Sequence, residues 1–165
     1  MSNIVLVGMP GSGKTTIGRT AAAMAGAEFI DIDEAIESDY GPIDSIFSEK
    51  GEKFFRDIES EMFKRACAGR DSVISTGGGI VEREENIALM KQNTVVFIDR
   101  NIDKIRKTID SGSRPLLRND PNAIMGLYER RLPLYLAVMD FSVANNGEPE
   151  DCAKILKKII EDIHL

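Results

Sequence analysis

The chain has 165 residues, the size of one domain with room for a substantial core. Its 42% hydrophobic and 29% charged residues suit a soluble globule, and no apolar run approaches the ~20 residues of a membrane span. A net charge of −6 argues against nucleic acid or an anionic membrane as the main partner, and it makes any arginine aimed at an anionic ligand conspicuous.

In chain order, the apolar run Ile4–Val7 predicts a strand that leads straight into Gly8-Met9-Pro10-Gly11-Ser12-Gly13-Lys14-Thr15. That segment fits G-x-x-x-x-G-K-[ST] without a gap, and the pattern of Lys14–Ala25 predicts the helix that should follow. Residues 28–32 read as a second strand, 52–67 as a helix carrying Phe54, Phe55, Ile58, Met62 and Phe63, and 72–76 as a third strand. Thr94–Asp99 is a fourth strand. The first, third and fourth are near-continuously apolar, as strands buried on both faces of a parallel sheet are. Ser111-Gly112-Ser113 is flexible and then abruptly basic at Arg114, which reads as a lid up to Pro121. Asn119-Asp120-Pro121 is a helix start signal, for a helix running to about Ala137. Phe141–Ala144 is the fifth strand, and a turn over residues 145–149 joins it to a final helix. Alternating strands and helices predict a three-layer α/β domain with a parallel sheet. No signal peptide precedes the first strand, and Cys67 and Cys152 form no metal-ligand or C-x-x-C spacing. The expectation is a cytoplasmic protein whose two thiols are packing residues. His164, the one histidine, stands next to the C-terminus and reads as a solvated tail residue, which nearly excludes histidine acid–base chemistry.

The glycine-rich loop predicts phosphate binding. Glycines let successive backbone N–H groups point at phosphate oxygens, and the helix N-terminus beyond adds partial positive charge. Gly11, Ser12, Gly13, Lys14, Thr15 and Thr16 are the nucleotide-binding candidates, with Lys14 reaching the β- and γ-phosphates and Thr15 ligating Mg²⁺. The carboxylate that the metal needs besides the Thr15 hydroxyl has two candidates of equal standing. One is Asp99 at the end of the fourth strand. The other is the pair Asp31 and Asp33, which on a strand would share a face and enter the crevice at its C-terminal end. Arg56 lies beside Phe55 and Ile58, which pull it toward the core; a snorkelling side chain is the plainer alternative. Gly77-Gly78-Gly79 follows the third strand, either as backbone approaching a ligand or as a flexible loop.

Taken together, the phosphate loop, Asp31-x-Asp33, Gly51-Glu52…Phe55-Arg56…Glu59, the triple glycine, Arg114-Pro115-Leu116-Leu117 and Arg131-x-Pro133-x-Tyr135 resemble the shikimate kinases along almost the whole chain. The resemblance implies a P-loop fold like that of the nucleoside monophosphate kinases, with five parallel strands in order 2-3-1-4-5. It implies a single domain over 1–165, with the phosphate loop at 8–15, a substrate-binding helical region at about 33–68 and a lid at about 111–121. The implied reaction is ATP-dependent phosphorylation of the shikimate 3-hydroxyl, a step toward chorismate and the aromatic amino acids. It assigns Mg²⁺ to Thr15 and Asp31, leaving Asp99 a structural or unknown part. Arg56 and Arg131 become the carboxylate clamp, a task suited to arginine's planar fork. Asp33 becomes the candidate base, and Gly77, Gly78 and Gly79 the backbone donors near substrate. Phe47, Phe55 and Pro115 become the apolar wall, and Arg114 the charge that meets the transferring phosphoryl and the nucleotide. The family also places a basic residue after the last strand against adenine. Residues 144–149 hold none, which leaves the base to backbone or to a residue such as Arg106. Arg118 and Arg130 read as solvated charge. The resemblance favours a monomer. A kinase for gluconate or a nucleotide is the nearest alternative reaction, and a nucleotide-dependent switch a more distant one that lacks the N-K-x-D guanine signature.

Overall fold

In the computed structural model, which describes residues 2–109 and 122–164, strand β1 (Ile4–Val7) is the centre of the sheet and wholly buried. Its alternation sorts the core. Ile4 and Leu6 face one side with Ile17, Ala21, Leu156 and Ile160, while Val5 and Val7 face the other with Phe55, Phe63 and Tyr135. Two apolar faces on one strand demand helices on both, and this is the arrangement found. Helices α1 (Lys14–Ala25) and α8 (Pro149–His164) cover the first face. The second is covered by α4 (Glu52–Ala68) and α7 (Ala123–Val138), whose residues join that core.

Strands β2 (Glu28–Asp31), β3 (Ser72–Ser75), β4 (Thr94–Asp99) and β5 (Phe141–Ala144) complete a parallel sheet in the order β2-β3-β1-β4-β5. This is the order that the resemblance implies. All five strands run the same way, so their carboxyl ends share one edge, where open α/β sheets bind ligands. The short helices α2 (Ile32–Tyr40), α3 (Ile43–Lys50), α5 (Glu84–Met90) and α6 (Ile102–Thr108) fill the connections. The helix start signal at 119–121 and the lid lie outside the described residues; from Ala123 onward helix α7 follows the expectation. No described helix is long and apolar enough to cross a membrane.

One difference bears on function. The expected strand 28–32 ends one residue early, because the Asp31 carboxylate accepts from the Glu34 backbone N–H at 3.0 Å and caps α2. Asp31 and Asp33 therefore do not share a strand face: one closes the strand and the other stands in the helix's first turn. Along α4, Phe55, Ile58, Met62 and Phe63 point inward, whereas Phe54 is exposed and meets Tyr40 edge-on.

Helix α1 lies very close to the sheet at Gly18. A Cβ there would come 2.5 Å from Leu6 Cδ1 and 2.9 Å from Phe29 Cε2. Helix propensity alone favours alanine by ~1 kcal/mol, but overpacking a filled core costs about 1–3 kcal/mol. Gly18→Ala is expected to lower the thermal midpoint by up to about 8 °C; a rise would contradict this packing.

Candidate active site

Residues at the ends of β4 and β5 hold the phosphate loop. Gly8 (φ 152°) leaves no room for a side chain, since a Cβ would sit 2.6 Å from the Ile98 carbonyl oxygen. Gly13 (φ 96°) lies against Asn145, whose Nδ2 donates to the Ser12 carbonyl at 2.7 Å. Asn145 is itself fixed by its backbone N–H, which donates to the Asp99 carbonyl at 2.6 Å. Just past the end of β4, Arg100 Nη1 donates to the Gly11 carbonyl at 2.9 Å. Lys14 Nζ folds over the loop and donates to the carbonyls of Gly8 at 2.7 Å and Met9 at 2.9 Å. Sequence reasoning missed both Asn145 and Arg100. Each stands just past the end of a strand beside the loop, which is the signal that was available.

Of the two aspartate candidates, Asp31 is the one in contact with Thr15. The Thr15 hydroxyl donates to Asp31 Oδ2 at 2.6 Å, and the Ser75 hydroxyl lies 3.5 Å from it. Hydroxyl and carboxylate oxygens so grouped are the hard donors that Mg²⁺ takes. Asp99 engages instead through its backbone, with β5 and Asn145. Asp33 lies beside the glycine turn, its Oδ1 3.3 Å from where a Gly77 Cβ would be.

The triple glycine has a physical reason that neither sequence reading supplied. None of its three residues needs a positive φ; what they provide is space. A Cβ on Gly77 would meet Glu59 Oε2 at 2.7 Å, and one on Gly78 would meet Pro10 at 2.7 Å and Arg131 Nη1 at 3.1 Å. On Gly79 it would fall 2.5 Å from Arg56 Nη2. Two guanidinium groups are thus packed against bare backbone. Tyr135 closes the back of this turn by donating to the Gly78 carbonyl at 2.6 Å, its ring stacked on Phe97.

Arg56 does not snorkel. Its side chain is 11% exposed and Nη1 donates to Glu59 Oε1 at 2.7 Å. Burial works against the Arg56 charge, but Glu59, with help from Glu82 and Glu52, more than offsets it and leaves the guanidinium's pKa raised. Burial likewise pushes the Glu59 carboxyl up, opposed mainly by Arg56. Arg131 is 1% exposed, with Nη2 donating to Glu82 Oε2 at 3.2 Å. Phe47 packs on Phe55 with ring centroids 4.8 Å apart, and the Arg56 guanidinium lies 5.2 Å from the Phe55 ring centre. Arg130 is not the plain solvated charge expected, since its Nε donates to Glu82 Oε1 at 2.7 Å. Arg106 stands exposed on α6, 3.9 Å from Asp103. Arg114, Pro115 and Arg118 lie outside the described residues. The two thiols are as expected: Cys152 is buried, and burial pushes Cys67 up to about 11.

The phosphate loop, the two aspartates and the first two glycines of the turn line one cleft of about 350 Å³ at the carboxyl edge of the sheet, while Arg56 and Arg131 pack against the glycine turn and are not part of its lining. Lys14, Thr15 and Thr16 line it from the phosphate loop, and Asp31, Asp33 and Gly77 line it from the other side. Such an arrangement can hold a nucleotide's phosphates and a metal ion against a second ligand.

A family model described as shikimate kinase matches residues 10–164. A shikimate kinase of Clostridium botulinum (strain Eklund 17B) is 42% identical over 160 residues, spanning 96% of this chain and 97% of that one. That of Thermodesulfovibrio yellowstonii is 41% identical, spanning 96% and 95%. Among solved structures, the Acinetobacter baumannii shikimate kinase in complex with shikimate superposes with a TM-score of 0.91 at 34% identity, covering 98% of this chain and 94% of that one. The Aquifex aeolicus shikimate kinase gives 0.85 at 35% identity, covering 99% and 98%. The chain belongs to the shikimate kinase family.

Proposed function

We propose a division of labour within this cleft for the family's reaction, the transfer of a phosphoryl group from ATP to shikimate. The observation that carries it is the shared lining: phosphate loop, both aspartates and the glycine turn face one space. Backbone N–H groups of the loop and Lys14 hold the nucleotide phosphates, with Gly11, Ser12, Gly13 and Thr16 completing the grip. Thr15 and Asp31 hold Mg²⁺, which when bound neutralises phosphate charge. The shikimate carboxylate is taken by Arg56 and Arg131, whose planar forks suit a two-oxygen anion. With the carboxylate fixed there, the ring lies along Phe47 and Phe55, and its 3-hydroxyl turns toward Asp33 and the phosphate loop.

In the chemical step the 3-hydroxyl oxygen forms a bond to the γ-phosphorus while the bond from that phosphorus to the β,γ-bridging oxygen breaks. The hydroxyl proton goes to the Asp33 carboxylate, and ADP departs with the electron pair. Lys14 and the glycine-turn N–H groups stabilise the phosphoryl in flight. The resemblance adds Arg114 to this charge. The chain acts as a cytoplasmic monomer in this reading, its two isolated cysteines suiting a reducing compartment.

Two substitutions separate the parts. Asp33→Asn keeps size and shape but removes the proton acceptor, so kcat is expected to fall by at least about 100-fold with the thermal midpoint unchanged. A near-normal kcat would rule Asp33 out as the base. Arg56→Lys keeps a cation for Glu59 and loses the fork. It is expected to raise the shikimate KM by about 10-fold or more, with the ATP KM within about twofold. An effect falling on ATP instead would show the clamp to be misassigned.

A further inference from the structure

The Arg131 guanidinium is almost wholly buried, yet its hydrogen bond to Glu82 is at 3.2 Å and its Nε has no hydrogen-bond partner among the described residues. Glu82 closes the short 3₁₀ turn Ile80–Glu82 that follows the triple glycine directly. Its side chain is 22% exposed, and its two oxygens are divided between neighbouring residues of α7. Oε2 takes the buried Arg131, and Oε1 takes Arg130, which is 59% exposed, at 2.7 Å. Consecutive helix residues point about 100° apart, so one can face the core while the next stands at its rim. A carboxylate at that rim accepts from both.

We propose that Arg130, Glu82 and Arg131 form a positioning relay for substrate binding, in which Glu82 fixes the buried arginine and Arg130 offsets the charge of Glu82. This rests on the reading of Arg131 as a binder of the shikimate carboxylate. An unanchored arginine has rotamer freedom to lose, which anchoring removes before substrate arrives. A lone glutamate beside the clamp would repel the incoming carboxylate. Close pairing with Arg130 gives Glu82 little net charge at the distance of a substrate, so its hold on Arg131 outweighs its repulsion. The three groups together carry one positive charge, presented by the buried member. Arg130 and Arg131 hold the Glu82 carboxyl below the usual range against the effect of burial, in keeping with its being ionised there.

The test is a double-mutant cycle read in steady-state kinetics of the full chain. Glu82→Gln is expected to raise the shikimate KM about 5- to 20-fold, since a charge-assisted bond is roughly twice as strong as a neutral one. The ATP KM and kcat should stay within about twofold, and Glu82→Asp should recover part of the loss. Arg130→Ala should raise the shikimate KM by a smaller factor in the wild-type background and leave it unchanged in the Glu82→Gln background, because it acts through Glu82 alone. An unchanged shikimate KM in Glu82→Gln, equal losses on ATP and kcat, or additive effects of the two substitutions would each overturn the relay. Arg131→Ala is the control. If it raises the shikimate KM while Glu82→Gln does not, the relay fails and the clamp stands. If it leaves that KM unchanged, the clamp reading fails and the relay with it.

Discussion

The site depends on keeping two guanidinium groups charged and still inside a folded domain. A bare cation moved from water to the interior costs several kcal/mol even after relaxation, so each arginine requires a carboxylate within reach. Arg56 has Glu59, itself 1% exposed, and Arg131 has Glu82. The pairs differ in kind. Arg56 and Glu59 are three residues apart on one helix, where such neighbours face each other, and their bond is short at 2.7 Å. Glu82 and Arg131 come from separate elements and meet at 3.2 Å.

The glycine turn makes both pairs possible. Any side chain at Gly77, Gly78 or Gly79 would enter space held by Glu59, Arg131 or Arg56. Bare backbone therefore lets the arginines close in. Tyr135 ties the turn to α7 and to the sheet through Gly78 and Phe97. The two arginines packed on the turn are thus tied to the same sheet whose central strand leads into the phosphate loop.

Much of this was legible in the sequence because it is locally written. The phosphate loop, the two-faced strands and the long helices follow from residue type and period. Their parallel order came from resemblance, since short runs do not state which strands are neighbours. The end of β2 was misjudged because Asp31 spends one oxygen on capping α2, a competition that an apolar run does not reveal. Arg100, Asn145 and Glu82 were missed because the partners that place them lie between 46 and 133 residues away in sequence. A solvated charge and a paired one look alike until the fold closes. The triple glycine was noticed, but its reason was not, since the atoms it accommodates come from α4, α7 and the phosphate loop.

The central claim is that these buried arginines read the negative charge of the acceptor. The most direct measurement compares shikimate with its neutral methyl ester as acceptor for the wild-type chain, following ADP release at saturating ATP. Charge-assisted hydrogen bonds contribute about 1.5–3 kcal/mol, so the ester's kcat/KM should be lower by about 10- to 150-fold, chiefly through KM. Equal kcat/KM for acid and ester would contradict the account.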